Sequence, residues 1–153
     1  MTTGSLRKDA VTIVGPADDG SSILSQTLVG DVMESNFCYF DEEQGMALAV
    51  GELLRQKLTG APVLDENGRL KGFLSLKDCL PFAQVFASSV QVEPVKVGHL
   101  MSRETHALSP DISLEEALKA FVNQWFHVYP VADKAGKVVG ILSRCRLLSF
   151  LCQ

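Results

Sequence analysis

A serine and a carboxylate stand three residues apart at the predicted start of a helix. Ser75 follows the apolar run Gly72-Phe73-Leu74, which is typical of a strand, and Asp78 lies one turn further on. A carboxylate accepts hydrogen bonds, and a hydroxyl can both donate and accept them. Ser and Asp are also common caps of helix N-termini. The two residues alone therefore leave a ligand-binding and a structural interpretation open.

The same junction occurs once more, with one change of charge. Residues 140–146 repeat the glycine and the serine of residues 72–78 at the same spacing, but Arg146 stands where the first copy has Asp78. A guanidinium donates hydrogen bonds and accepts none, so Arg146 cannot accept a hydrogen bond where Asp78 can. We therefore expect the two junctions to differ in function.

The repetition extends far beyond the junction. A shift of 68 residues aligns residues 29–80 with residues 97–148 without a gap, and 13 of the 52 positions are identical. Average composition would give about three identities by chance. The shared motifs are Val-Gly-x-x-Met, apolar-Pro-Val, Asp-x-x-Gly and Gly-x-x-Ser, in that order. The chain therefore contains a tandem duplication.

Each copy is predicted to fold as strand, helix, strand, strand, helix. The Asn67-Gly68 dipeptide predicts a tight hairpin turn, since both residues tolerate positive φ. In the second copy, Ser113 and Glu116 form a capping box at the start of a helix. The predicted elements of the first copy are a strand at 37–40, a helix at 46–58, strands at 61–65 and 70–75, and a helix from 77 to about 86.

The domain organisation follows from the repeat. A copy of about 55 residues is too small to be comfortably stable alone, so the two should pack together as a pseudosymmetric pair. The N-terminal arm, residues 1–21, contains one candidate edge strand, Val11–Val14. A lead-in helix is predicted from Ser22 and should end near Met33. The predicted units are an N-terminal arm at 1–21, a first repeat with its lead-in helix at 22–87, a linker at 88–96 and a second repeat at 97–153.

Composition and charge argue against several classes of protein. The 153 residues are 46% hydrophobic and 21% charged, which is enough for a packed core. A net charge of -4 argues against a nucleic-acid-binding protein. No run of eighteen apolar residues or signal-peptide pattern occurs, so we expect a cytoplasmic protein without a membrane partner. The four cysteines lack metal-ligand spacing, and no catalytic constellation or phosphate loop is present. We therefore expect neither an enzyme nor a metal site.

Over residues 26–153 this ordered pair of motif sets resembles the tandem CBS domain pair, or Bateman module, of the stand-alone bacterial type. The resemblance implies an α/β (α+β) fold in which two β-α-β-β-α repeats pack sheet to sheet with pseudo-twofold symmetry. It also implies two clefts, each built from both repeats and each able to hold an adenosine nucleotide such as AMP, ADP or ATP. The nucleotide would be a regulatory ligand, and no cofactor is expected.

Mapped residue by residue, the resemblance implies one competent cleft. The carboxylate of Asp78 would take the ribose hydroxyls, Ser75 would assist, and His127 would contact a phosphate. The residues expected from the second repeat are Met101, Thr105, His106, His127, Val128, Tyr129 and Arg144. The other cleft would combine Ser143 and Arg146 with Cys38, Thr59, Gly60 and Ala61. Its arginine implies an empty site or a different ligand.

Two functions remain open from the sequence. One is a homodimeric sensor that binds an adenine nucleotide and signals to a protein partner of unknown identity. The other is a ligand-free module for dimerisation or docking, which would use exposed apolar residues of the closing helices. The expected residues of that surface are Phe82, Phe86, Leu147 and Phe150. His127 also has a structural alternative as a core or interface residue, and Trp125 is expected to pack in the core or an interface.

Overall fold

The structure is a computed structural model of the 153-residue chain, and it describes residues 22–88 and 94–152. The candidate strand Val11–Val14 and the middle of the predicted linker lie outside these ranges. The first repeat contains helices α1 (Ile23–Gln26), α2 (Val29–Val32) and α3 (Met46–Arg55), strands β1 (Gly60–Leu64) and β2 (Leu70–Ser75), a 3-10 turn (Lys77–Cys79) and helix α4 (Leu80–Ala87).

The elements of the second repeat follow the order of α2, α3, β1, β2 and α4 in the first repeat. Each repeat contributes one antiparallel hairpin, β1 with β2 and β3 with β4. The elements are α5 (Val97–Leu100), α6 (Leu114–Asn123), β3 (Val128–Ala132), β4 (Val138–Ser143) and α7 (Arg144–Leu151). The predicted fold class, with two β-α-β-β-α repeats related by pseudo-twofold symmetry, is confirmed.

The hairpin turns differ from the predicted one. Gly68 has a positive φ of 79°, whereas Asn67 does not adopt positive φ. Asp65 stabilises the turn instead, because its Oδ1 accepts hydrogen bonds from the backbone N–H groups of Asn67 and Arg69 at 2.8 and 2.9 Å. These bonds hold the pKa of the Asp65 carboxyl below its ordinary value. A glycine is therefore required only at the last position of the turn.

The lead-in segment is not one helix. Thr27 and Leu28 are extended between α1 and α2, with φ and ψ of -102° and 133° at Thr27. The Thr27 carbonyl accepts a hydrogen bond from the backbone N–H of Leu114 at 2.8 Å. The helical prediction for this segment was wrong because pairing with the second repeat outweighs local helix propensity.

The predicted strand at residues 37–40 shrinks to a single bridge. Phe40 pairs in parallel with Val63 of β1, through the hydrogen bonds Phe40 N–H to Pro62 O at 3.0 Å and Leu64 N–H to Phe40 O at 2.9 Å. Leu108 pairs in the same way with Val131 of the second repeat. The aromatic residues before Phe40 line a surface cleft instead of extending the strand.

Each hydrophobic core is completed by a short helix of the opposite repeat. We call these helices, α2 of the first repeat and α5 of the second, the lead helices. Val97 and Met101, at α5 of the second repeat, pack into the core of the first repeat with Leu53 and Leu74. Val29 and Val32, on α2 of the first repeat, pack into the core of the second repeat, whose other members include Leu114, Leu142 and Leu147. The predicted linker at 88–96 separates the two repeats in the sequence, but each core contains residues from both sides of it.

Backbone hydrogen bonds fix this exchange of lead helices. A lead segment is a lead helix together with the methionine that follows it, residues 29–33 or 97–101. The residue after each lead segment pairs with the last strand of the opposite repeat, Glu34 with Ile141 and Ser102 with Phe73. The four N–H to carbonyl distances of these two pairs are 2.8–2.9 Å. Equivalent positions of the two repeats make equivalent contacts, which is the structural expression of the pseudo-twofold axis.

This close approach explains why both repeats have a glycine at the junction. A Cβ atom added to Gly72 would lie 2.6 Å from Met101 Sδ and 2.8 Å from the Ser102 carbonyl oxygen. At Gly140 the corresponding distances to Met33 Sδ and the Glu34 carbonyl are 2.7 and 2.9 Å. Both glycines therefore make room for the lead segment of the opposite repeat.

We predict that Gly72→Ala lowers the free energy of unfolding by about 1–3 kcal/mol, because the added methyl group overpacks the contact with Met101 and Ser102. Urea denaturation would measure the change. Gly51→Ala is the matched control, since its Cβ would meet nothing within 4 Å. On the exposed face of α3 it should raise stability by up to about 1 kcal/mol. Wild-type stability for Gly72→Ala would contradict the packing argument.

Candidate functional site

A cleft of about 540 Å³ lies between the two repeats. A volume of this size suits a small organic ligand. It brings together six of the residues predicted from sequence, Ser75, Asp78, Thr105, His106, His127 and Val128. The first two come from the β2–α4 junction of the first repeat and the others from the second repeat. The cleft is therefore shared between the repeats, as a site built on both requires.

Ser75 and Asp78 hold each other in place. The Asp78 backbone N–H donates to Ser75 Oγ at 3.2 Å, and the Ser75 N–H donates to Asp78 Oδ2 at 3.0 Å. This reciprocal arrangement is a capping box, and both residues are half-buried. Within residues 22–88 and 94–152 the second oxygen, Oδ1, has no hydrogen-bond donor. The cap thus fixes the carboxylate while leaving acceptor capacity at the cleft.

His127 is oriented by Arg144. The guanidinium Nη2 lies 3.1 Å from His127 Nδ1, and the Arg144 backbone N–H donates to the His127 carbonyl at 2.9 Å. Because arginine only donates hydrogen bonds, Nδ1 must be the acceptor in this pair and Nε2 carries the proton. His127 therefore offers an N–H donor to a ligand. Arg144 itself does not line the cleft but contacts the histidine that does.

Two predicted site residues lie behind the cleft. Met101 is buried against Gly72 in the core of the first repeat. Tyr129 is buried in the second core, where its hydroxyl donates to the Ala120 carbonyl at 3.1 Å, and burial raises the pKa of Tyr129. Both side chains are placed to support the residues that line the cleft, and neither faces it.

Sequence reasoning missed several lining residues. Thr59, assigned from sequence to the other cleft, lines this one. Trp125 is not in the core, because 96% of its surface is exposed while it lines the cleft. Its place two residues before His127 was the available signal. The remaining additional lining residues are Phe73, Leu76, Lys77, Ser102, Glu104, Phe126 and Pro130.

The residues of the second junction make different hydrogen bonds. Arg146 Nε donates to the carbonyl oxygen of Val32 at 2.8 Å, and Ser143 Oγ accepts from the Arg146 backbone N–H at 3.0 Å. Val32 is the last residue of α2, so the arginine caps the C-terminus of the opposite repeat's lead helix, where a cation is favourable. Arg146 thus has a structural partner and no acceptor group for a diol.

Cys38 lies in a separate surface cleft. This cleft of about 420 Å³ also contains Tyr39, Leu48 and Glu52, and it includes neither Ser143 nor Arg146. Burial, with a smaller contribution from the Glu52 carboxylate, raises the pKa of the Cys38 thiol. The structure therefore does not bring Cys38 together with the predicted partners of the second site.

The closing helices expose a different apolar set from the predicted one. Phe86 is 73% exposed, as expected, but Leu147 is only 2% exposed and belongs to the core of the second repeat. The prediction that Leu147 is exposed was wrong because its side of α7 faces α2 and β4. Phe82 and Phe150 are half-buried. None of the helices within the described ranges is long and apolar enough to cross a membrane.

These features define a tandem-repeat α/β module with a ligand-sized cleft between its repeats. The family model of the CBS domain matches residues 29–83 and 97–152. The chain belongs to the CBS domain family.

Solved structures support this assignment. The CBS-pair protein CBSX2 from Arabidopsis thaliana superposes with a TM-score of 0.73 at 28% identity, covering 83% of this chain and 95% of that one. A structure of CBSX2 in complex with AMP gives 0.71 at 28% identity, covering 83% and 97%. The cytosolic domain of the Mg²⁺ channel MgtE in complex with ATP gives 0.67 at 25% identity, covering 82% and 49%.

Two of the curated relatives are much longer proteins. The magnesium transporter MgtE of Thermus thermophilus is 32% identical over 114 residues, which are 69% of this chain and 23% of the transporter. The A-adding tRNA nucleotidyltransferase of Aquifex aeolicus is 28% identical over 120 residues, which are 78% of this chain and 14% of that enzyme. The chain thus spans less than a quarter of the length of these two relatives.

Proposed function

We propose that this chain is a cytoplasmic regulatory module that binds an adenosine nucleotide, AMP, ADP or ATP, between its repeats and signals to a protein partner. It acts as a sensor and not as an enzyme. The observation that carries the proposal is the meeting of a capped carboxylate, Asp78, and a donor histidine, His127, in one cleft although they come from opposite repeats.

The ribose is assigned to Asp78. A carboxylate whose Oδ2 is already fixed by the Ser75 N–H keeps Oδ1 for a ribose hydroxyl, and Oδ2 retains a second lone pair. Hydrogen bonds to a charged acceptor are stronger than those between neutral groups. The cap also means that no reorganisation of the carboxylate is needed when the diol arrives.

The phosphates are assigned to the side of the cleft that carries His127. Its Nε2–H donor is backed by the Arg144 guanidinium at 3.1 Å, and the exposed ammonium group of Lys77 also lines the cleft. These cations would attract the negative charge of a phosphate. The base is then assigned to the part of the cleft lined by Thr105, His106 and Val128.

The likeness to solved structures supports the choice of ligand class. CBSX2, at 28% identity, forms a complex with AMP, and the cytosolic domain of MgtE, at 25% identity, forms one with ATP. The two ligands share adenine, ribose and at least one phosphate.

A ligand in this cleft would act on both repeats at once. Asp78 lies on the junction after β2, and β2 contacts the lead segment of the second repeat through Gly72 and Phe73. A nucleotide that draws Asp78 and His127 together would therefore shift the exchanged lead segments. This movement is the proposed signal to the partner.

A second candidate function rests on helix α4. None of its residues is buried, and Phe86 exposes 73% of its surface. Leu80 and Val85 are also exposed, and Phe82 and Phe86 lie with ring centroids 5.6 Å apart. A short helix with so much exposed apolar surface is suited to an interface. We assign it to a second copy of this chain, so that the module is a homodimer with or without nucleotide.

We predict that Asp78→Asn weakens adenine-nucleotide binding about tenfold to a hundredfold, the equivalent of about 1–3 kcal/mol for lost charge-assisted bonds. The amide oxygen can still accept from the Ser75 N–H, so the cap survives. Equilibrium dialysis with AMP, ADP and ATP, each up to millimolar concentration, would measure the affinities.

Asp31→Asn is the matched control for this experiment. Asp31 also accepts a backbone N–H at a helix start, from Leu28 at 3.4 Å, but it does not line the cleft. Its substitution should leave the affinity unchanged. Absence of binding of all three nucleotides to the wild-type protein would rule out the sensor function, and equal losses in both variants would rule out the assignment of ribose to Asp78.

We predict that Phe86→Asp converts a dimer into a monomer, because the new charge would be buried in the apolar contact. Sedimentation equilibrium would measure the mass. Leu48→Asp is the control, since Leu48 is exposed on α3 and outside the closing helices. A wild-type protein that is monomeric at high micromolar concentration would exclude the homodimer.

A further inference from the structure

Trp125 combines two properties that do not usually occur together. It is the single tryptophan of the chain, and it exposes 96% of its surface. It also lines the cleft between the repeats. Tryptophan has a large apolar surface and is highly buried on average, so its exposure leaves unfavourable contact with water that a ligand could relieve.

The neighbouring residue anchors the loop that carries Trp125. The Phe126 ring lies 5.4 Å from the Tyr129 ring and 5.5 Å from the His106 ring. Tyr129 in turn contacts Phe121 of the second core at 4.8 Å, edge to face. These aromatic contacts connect the cleft wall to the core. The backbone beside Trp125 is thus held in place, and the indole is exposed where it lines the cleft.

We propose that Trp125 stacks on the base of the bound nucleotide and makes this cleft selective for purines. The inference rests on the proposed function and adds a residue and a selectivity to it. A purine offers two fused aromatic rings to the indole, whereas a pyrimidine offers one. Stacking would bury apolar surface of both partners, and aromatic pairs gain energy beyond the buried area.

The equivalent position of the first repeat agrees with this assignment. A shift of 68 residues places Lys57 opposite Trp125, so the second junction has no aromatic residue at this point. Lys57 has a positive φ of 58°, a backbone conformation that residues other than glycine rarely adopt. The aromatic face is therefore a feature of the Asp78 cleft and is not shared by the Arg146 side.

The first test uses the intrinsic fluorescence of the protein, which reports on one residue. We expect AMP or ATP to quench or shift the tryptophan emission and to protect it from iodide, with the concentration dependence found by dialysis. CMP and CTP should bind at least about fivefold more weakly, as expected for the smaller stacking surface.

The second test is a set of variants measured by dialysis. Trp125→Ala should weaken AMP binding about fivefold to tenfold, the range expected for loss of one aromatic stack, and Trp125→Phe should restore most of the affinity. Ribose 5-phosphate has no base, so its affinity should be the same in all three proteins. Val122→Ala is the control, because Val122 is 75% exposed on the preceding helix and does not line the cleft.

The outcomes separate this inference from the function on which it rests. Nucleotide binding by dialysis with unchanged emission and full affinity in Trp125→Ala would overturn the stacking role and leave the sensor function intact. Failure of AMP, ADP and ATP to bind the wild-type protein would overturn both. Emission that changes with protein concentration in the absence of nucleotide would place Trp125 against a second copy and overturn the stacking role.

Discussion

Each repeat packs its lead helix into the core of the opposite repeat, and this exchange holds the two repeats together. Val97 and Met101 complete the first core, and Val29 and Val32 complete the second. Neither repeat has a finished core by itself, which agrees with the marginal stability expected for about 55 residues. The exchange also fixes how the two junctions face each other, and hence the shape of the cleft between them.

One position then makes two similar junctions different. At the first junction a carboxylate, Asp78, is held by its own cap and keeps acceptor capacity at the cleft. At the second, the guanidinium of Arg146 donates to the Val32 carbonyl and so strengthens the exchanged contact. The duplication thus leaves acceptor capacity at one junction and places a stabilising contact between the repeats at the other.

Much of the fold could be predicted from the sequence, because its signals are local. The period of the apolar residues and the repeated Pro-Val, Asp-x-x-Gly and Gly-x-x-Ser motifs identified both hairpins and the helices that follow them. The predicted lead-in helix failed at Thr27, where a hydrogen bond from Leu114 of the other repeat decides the backbone. The sequence also could not show that Gly72 makes room for Met101, since that contact joins residues far apart in the chain.

The sequence predicted many of the residues of the candidate site but not their arrangement. Six predicted residues line one cleft, whereas Met101 and Tyr129 turned out to be buried behind it. Trp125 was expected in the core or an interface, because large aromatic residues are usually buried, and only its exposure in the structure revealed its place at the cleft.

Isothermal titration calorimetry with ATP would measure how many nucleotides bind to each chain. We expect one nucleotide per chain, and the same value in Arg146→Ala, because only the Asp78 junction offers an acceptor to the ribose. Two nucleotides per chain, or a site that is lost with Arg146 and retained without the Asp78 carboxylate, would rule out this division of roles between the junctions.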